Sequence, residues 1–217
     1  MDEHRLTVEI PGEQLVVCGE RGIWWPAASV LLVADVHVGR IAAGRARGAA
    51  VPGDSLGATL EQLGRLIDRT DPDRVVVLGD FVQDRAGLNP RVVERVGAAI
   101  STWSAPLELV PGNHDRRVGP LPEEWPVTIL EPVTRLGPFV LRHEPEPTDG
   151  GYVLAGHYHP TVRLEAGRDQ LRLPCFAFGD RVGISPAFHA VTNGVEMAID
   201  EYRLVAVADG KVVDLES

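Results

Sequence analysis

The stretch Leu31-Leu32-Val33-Ala34-Asp35-Val36-His37 opens as an unbroken apolar run and ends in a carboxylate and an imidazole two residues apart. A short apolar run of this kind reads as a strand. Side chains two apart on an extended segment point the same way, so Asp35 and His37 can face one point. The same pattern returns three times. Residues 75–78 end in Gly79-Asp80, residues 107–110 in Pro111-Gly112-Asn113-His114-Asp115, and residues 152–155 in Gly156-His157-Tyr158-His159. Each is an apolar strand running out into oxygen and nitrogen donors. In an open α/β sheet, ligands bind beyond the carboxyl ends of the strands.

Working outward, residues 6–10, 14–18, 139–142, 171–173, 175–178 and 203–208 also read as strands. Two longer segments read as helices. Asp54 or Ser55 can cap a run through Leu56, Leu60, Leu63 and Ile67, and Pro90 can open a helix carrying Val92, Val93, Val96 and Ile100. The first half thus alternates strand and helix, while the second half is mostly strand. No internal repeat or long polar linker divides the chain, so residues 1–217 read as one α/β domain with two packed sheets. The N-terminal strands are expected to pair at a sheet edge.

A lone Asp after a buried strand is often a helix cap, and a lone His is more often a hydrogen-bonded structural residue. Four donor clusters at four strand ends are a different matter. Five of the seven histidines fall in or near these turns, counting His143 after residues 139–142. A metal site is the expected reading. Imidazole and carboxylate donors without thiolate suit Mn²⁺, Fe²⁺ or Zn²⁺, with Mn²⁺ favoured, and the Asn113 carbonyl adds a hard neutral donor.

Taken in order, Asp-x-His, Gly-Asp, Gly-Asn-His-Asp and Gly-His-x-His resemble the signature of the calcineurin-like metallophosphoesterases. The segment Arg172-Leu173-Pro174-Cys175-Phe176 and the later Pro186-Ala187-Phe188 are similar, more narrowly, to DNA-ligase-associated metallophosphoesterases. The resemblance implies a two-sheet β-sandwich flanked by helices (a four-layer α/β/β/α arrangement) and two divalent metals sharing the Asp80 carboxylate. It implies Asp35, His37, Asp80 and His159 around one metal, and Asp80, Asn113, His143 and His157 around the other. A glycine commonly follows the His143 position in the family, where this chain has Glu144.

Two such cations carry +4 against −2 from Asp35 and Asp80, so a locally cationic pocket can sit within an acidic protein. Water held between them would lose a proton near neutral pH and serve as the nucleophile. His114 is left over from the ligand set and can protonate the leaving oxygen. Narrower-family members would have His three residues after the Gly-Asp aspartate, where this chain has Gln83. Either Gln83 or Asp84 could support the His114 ring. Asp84 is favoured, because a carboxylate also stabilises the imidazolium.

Arg40, Arg45 and Arg47 follow the first motif, and Arg116 and Arg117 the third. They could hold phosphates flanking the scissile one, or form ordinary surface ion pairs. His4 and His189 lie outside the motifs and read as structural. Trp24, Trp25 and Trp125 read as packing residues before base-stacking ones.

The formal charge of −10 argues against gripping long nucleic acid through the whole surface. Cys18 and Cys175, far apart and outside any thiol motif, read as two buried free thiols rather than a disulfide. The charged start has no apolar core of a secretory leader, and no apolar stretch approaches the roughly 20 residues of a membrane span. The cytoplasm is the expected compartment. The expected function is a metal-dependent phosphodiesterase acting on nucleic acid or a nucleotide-like diester, such as a single-strand endonuclease. DNA-repair partners such as a ligase or helicase come from the resemblance alone. A phosphomonoesterase or nucleotide pyrophosphatase would use the same site. An inactive scaffold, the remaining alternative, would be expected to lose ligands that this chain keeps.

Overall fold

The computed structural model describes residues 2–50, 53, 55–166, 169–189 and 194–215. The chain begins with β1 (Arg5–Ile10), β2 (Glu13–Cys18), β3 (Ile23–Trp25) and β4 (Val30–Val33). Next come α1 (Arg40–Ala46), α2 (Ser55–Thr70), β5 (Arg74–Leu78), α3 (Pro90–Thr102), β6 (Leu107–Val110), α4 (Asn113–Val118) and β7 (Val127–Ile129). The second half holds β8 (Val133–Leu136), β9 (Phe139–Arg142), β10 (Tyr152–Ala155), β11 (Thr161–Ala166) and β12 (Asp169–Phe178), then β13 (Val182–Ile184), β14 (Arg203–Ala208) and β15 (Lys211–Asp214). The expected cap Asp54 lies outside the described residues.

The first sheet runs β1-β2-β3-β4-β5-β6-β7 and the second β15-β14-β12-β13-β10-β9-β8, with β11 added against β12. The N-terminal strands do pair at a sheet edge. Strands β4, β5 and β6 are parallel neighbours, with Val33 opposite Val77 and Leu78 opposite Val110. In the second sheet β9 and β10 are parallel, with Leu141 opposite Leu154. Five strands carrying the donor motifs therefore end on a common rim.

Alternation along these strands explains the layers. Leu31, Val33, Val75 and Val77 point to α2 and α3, where they meet Leu63, Ile67, Val96 and Ile100. The intervening Val30, Leu32, Val76 and Leu78 face the second sheet and meet Phe139, Leu154, Phe176 and Val205. This is why the strands read as continuously apolar: both faces are buried. Trp25 packs edge-on to Phe139, with ring centroids 4.9 Å apart. The outer face of the second sheet packs with Val162 of β11 and with Met197, and the described helices all precede Gly119. Its cover is strand and loop, so helices flank the first sheet only among the described residues. No described helix is long and apolar enough to cross a membrane.

Several elements were not legible in advance. Strands β3, β7 and β13 have three residues each, too few to show periodicity. The two expected strands at 171–173 and 175–178 are one strand, β12, and Pro174 sits opposite Thr161 where β11 leaves the pairing.

Candidate metal centre

The tight turns at the rim put unusual demands on the backbone. Asp35, His37, Asp80, His157 and His159 have φ of +54°, +50°, +52°, +72° and +48°. Only four other described non-glycine residues adopt positive φ: Arg21, Ser29, Asp71 and Asp209. Left-handed backbone is costly for residues with a Cβ and tends to persist where surrounding structure enforces it, often at functional sites. Here each turn is pinned to its neighbour. Asp35 N–H donates to the Gly79 carbonyl at 3.1 Å and His37 N–H to the Asp80 carbonyl at 2.9 Å. His157 N–H donates across the sheets to Asp35 Oδ2 at 2.9 Å.

The preceding glycines allow close approach as well as turning. A Cβ on Gly79 would lie 2.2 Å from His143 Nδ1, and one on Gly112 would lie 2.3 Å from Asp80 Oδ1. Asp115 fastens two of these turns together, accepting from Val82 N–H at 2.9 Å and from Gly112 N–H at 3.0 Å. That role was missed in the sequence, although Asp at the third residue of a helix after Gly-Asn-His is a signal that could have found it.

The donor atoms form two overlapping sets. In the first, His159 Nε2 lies 3.2 Å from His37 Nε2 and 3.3 Å from Asp35 Oδ1. In the second, His143 Nε2 lies 3.1 Å from Asn113 Oδ1, 3.1 Å from His157 Nδ1 and 3.3 Å from Asp80 Oδ2. Metal–ligand bonds of roughly 2.1 Å give polyhedron edges of about this length. Asp80 is also close enough to share one ion with His37 and His114, so its carboxylate faces both sets. Asp35 Oδ1 is fully buried and lacks a hydrogen-bond partner, an arrangement costly unless a cation meets it. The His143 ring has its tautomer set from outside. Its Nδ1–H donates to the Leu78 carbonyl at 3.0 Å, leaving the Nε2 lone pair aimed inward. These residues fit a divalent cation. Cys18 and Cys175 are buried free thiols, as expected.

His114 is more exposed than His37, His143 and His159. Its side chain is 27% exposed, against 2% or less for His37 and His143. Its N–H donates to Asp80 Oδ1 at 2.8 Å, and its Nδ1 lies 2.6 Å from the Gln83 backbone carbonyl. That contact makes Nδ1 the protonated donor and turns Nε2 toward the site, 3.9 Å from Asp80 Oδ2.

Asp84, expected to support His114, has other partners among the described residues. Asp84 caps the short turn Arg85–Gly87 by accepting from Ala86 N–H at 2.9 Å, and it pairs with Arg47. Its carboxylate is thus engaged with Ala86 and Arg47. The nearest partner of His114 Nδ1 is the Gln83 backbone carbonyl, with the Gln83 side-chain amide 3.3 Å from the same Nδ1. Asp84→Asn and Gln83→Ala should therefore both leave the basic limb of the pH–rate profile in place. A shifted limb in Asp84→Asn with normal metal content would restore the carboxylate's role.

Comparison with known proteins bears on the site directly. A family model described as calcineurin-like phosphoesterase matches residues 28–174, more than half the chain. The chain belongs to the calcineurin-like phosphoesterases. Among solved structures, a Pseudomonas putida nuclease, MPE, is 35% identical with a TM-score of 0.85, covering 97% of this chain and 100% of that one. The phosphoesterase Yfce from E. coli is 17% identical over 85% of this chain and 96% of its own, with a TM-score of 0.41. Comparison with curated proteins gave no significant match. This phosphoesterase is a metal-dependent hydrolase, and its His/Asp cluster is suited to a divalent cation.

The electrostatics of the cluster favour positive charge. Burial disfavours the charged His143 ring, but Asp80 and Asp35 outweigh it and push its pKa up to about 9 from 6.5. Asp80 is itself held down at about 2: burial opposes ionisation, and the contact with His143 wins. His37, dominated by burial, is pushed down to about 3. In the metal-free protein, the raised His143 contributes stability below about pH 6.5 that is lost as pH rises through about 9. The depressed His37 contributes stability above about 6.5 that is lost as pH falls toward about 3. A cation held at His143 Nε2 would replace the His143 proton. Metal binding at pH 7 is expected to release about one proton and to tighten as pH rises toward 9. Calorimetry in buffers of different ionisation enthalpy counts that proton; binding without release would remove His143 from the ligand set.

The arginines divide. Arg116 donates to Glu144 at 2.5 Å and to the Pro111 carbonyl at 2.8 Å, and Arg47 is held by Asp84. Arg45 donates to the Gly53 carbonyl at 2.6 Å, and Arg40 and Arg45 line a cavity beside His37. Of the tryptophans, Trp25 and Trp125 are buried packing residues. His189 is also buried, its Nε2 3.0 Å from Ser55 Oγ.

Proposed function

We propose that this protein is a phosphodiesterase that cleaves nucleic acid, in the manner of a single-strand endonuclease, with two divalent cations of which Mn²⁺ is favoured. Asp35, His37, Asp80 and His159 would hold one cation, and Asp80, Asn113, His143 and His157 the other. The carrying observation is the convergence of both donor sets on the Asp80 carboxylate, with the more exposed His114 beside them. The cations supply an acidified water and charge against the phosphoryl oxygens. The chain's own residues do the rest. The Gln83 carbonyl fixes the His114 ring, Asp80 Oδ1 anchors its backbone, and Nε2 can then donate a proton to the leaving oxygen. Both sheets contribute donors, so residues 1–217 act as one unit.

Likeness to the P. putida nuclease over nearly the whole chain supports a nucleic-acid substrate. The acidic charge favours a single strand threaded into a local site over a long duplex held across the surface. The test compares turnover of bis(p-nitrophenyl) phosphate, p-nitrophenyl phosphate and single-stranded DNA with Mn²⁺, Fe²⁺ and Zn²⁺. Cleavage of the diester and DNA, with little monoester turnover, is expected. Turnover of the monoester alone would replace this reading with a phosphomonoesterase.

A further inference from the structure

Beside the candidate metal centre, α1, α2 and α3 enclose a cavity of about 240 Å³ that reaches His37 and Gly39. Four arginines line it, Arg40 and Arg45 from α1 and Arg91 and Arg95 from α3, with Arg45 also donating to the Gly53 carbonyl at 2.6 Å. No described residue of its lining is a carboxylate, in a chain whose formal charge is −10. Among the described residues, neither Arg40 nor Arg91 has a carboxylate partner, and burial of Arg40 disfavours its charge. The first turns of α2 and α3 also contribute lining, at Ser55 and Arg91, so the positive ends of two helix dipoles add to the field. The rest of the wall is largely apolar, including Ile41, Leu56 and Val92.

We propose that this cavity binds a second phosphate of the substrate strand, with the sugar or base of that nucleotide against the apolar wall. The inference rests on the phosphodiesterase reading and deepens it: the favoured substrate carries at least two phosphates in one chain. A pocket that is both cationic and partly apolar suits a nucleotide unit better than a free inorganic anion. Its continuity with His37 makes it a flanking subsite for the strand whose scissile phosphate lies at the metal centre. It also reconciles an acidic protein with a polyanionic substrate, because the attraction is local.

The test separates binding from chemistry. A labelled single-stranded oligothymidylate is titrated into protein kept metal-free with EDTA, across a salt series, while inorganic phosphate is titrated separately. The variants are Arg40→Ala/Arg91→Ala and, because Arg91 is exposed, Arg91→Glu as a change that should not disturb folding. Oligonucleotide affinity should fall at least roughly tenfold, and the salt slope should become shallower by about 0.7 for each phosphate no longer neutralised. With Mn²⁺, the ratio of DNA to bis(p-nitrophenyl) phosphate kcat/KM should also fall. Unchanged affinity and slope in both variants would overturn the proposal. So would loss of inorganic-phosphate binding with oligonucleotide binding intact, which would make the cavity a free-phosphate site. If wild type hydrolyses neither diester nor DNA, the phosphodiesterase reading fails, and the salt slope still reads the cavity.

Discussion

Asp80→Ala is expected to reduce phosphoesterase activity to background and to lower bound metal, while the protein remains folded. Asp80 stands at the end of a central strand, 2% exposed, with its backbone in the left-handed region. Oδ2 faces His143 Nε2 at 3.3 Å, and the carboxylate reaches the set containing His37 as well. Its loss therefore weakens both proposed cation sites at once, an effect expected of no residue that serves one set alone. It also removes a main force holding His143 positive, so the His143 pKa should drop from about 9. The cost to folding is smaller. His114 N–H loses its acceptor at 2.8 Å, a penalty of about 1–3 kcal/mol for a buried donor. Asp80→Asn keeps the shape and should recover that stability without recovering metal. Metal analysis, thermal denaturation and diester turnover together decide the matter. Full activity with metal content unchanged would sink the bridging role.

The donor motifs were legible because their chemistry is written in side chains at the ends of apolar runs. Asp35-Val36-His37 reads as converging from the two-residue period of an extended segment, but left-handed turns bring the two together, and His157 and His159 go to separate donor sets. What the geometry adds is carried by atoms with no residue signature. The Gln83 carbonyl orients His114 and the Leu78 carbonyl sets the His143 tautomer, and every residue has a carbonyl. The left-handed backbone of Asp35, His37 and Asp80 was equally hidden: Asp and His enter that region more readily than most side chains, but nothing in the sequence marks where they do. Helix α1 begins at Gly39 with φ +78° and no side-chain cap, so no start signal marked it. Helix α3 was read for its apolar face, which drew attention from Arg91 and Arg95 on its cavity side.

His114→Ala is expected to lose about 10²–10⁴-fold in turnover while keeping its metal, the range for removal of a general acid. The geometry already separates the two roles the ring could play. As a ligand it would share a cation with His37 and Asp80, whose donor atoms lie within reach of its Nε2. Yet its side chain is the more exposed, and its Nδ1 is committed to the Gln83 carbonyl at 2.6 Å. That leaves Nε2 at the solvent edge of the cluster, where a leaving oxygen can meet it. The defect should shrink for a substrate whose leaving group needs no proton. Nitrophenolate departs as a stable anion, so bis(p-nitrophenyl) phosphate should lose far less turnover than a DNA strand, whose alkoxide leaving group requires protonation. His114→Asn, which keeps polarity without an acid, should behave like the alanine variant. Measuring both substrates with metal content in parallel distinguishes acid from ligand: a variant stripped of metal, slow on both substrates alike, would place His114 in the coordination shell.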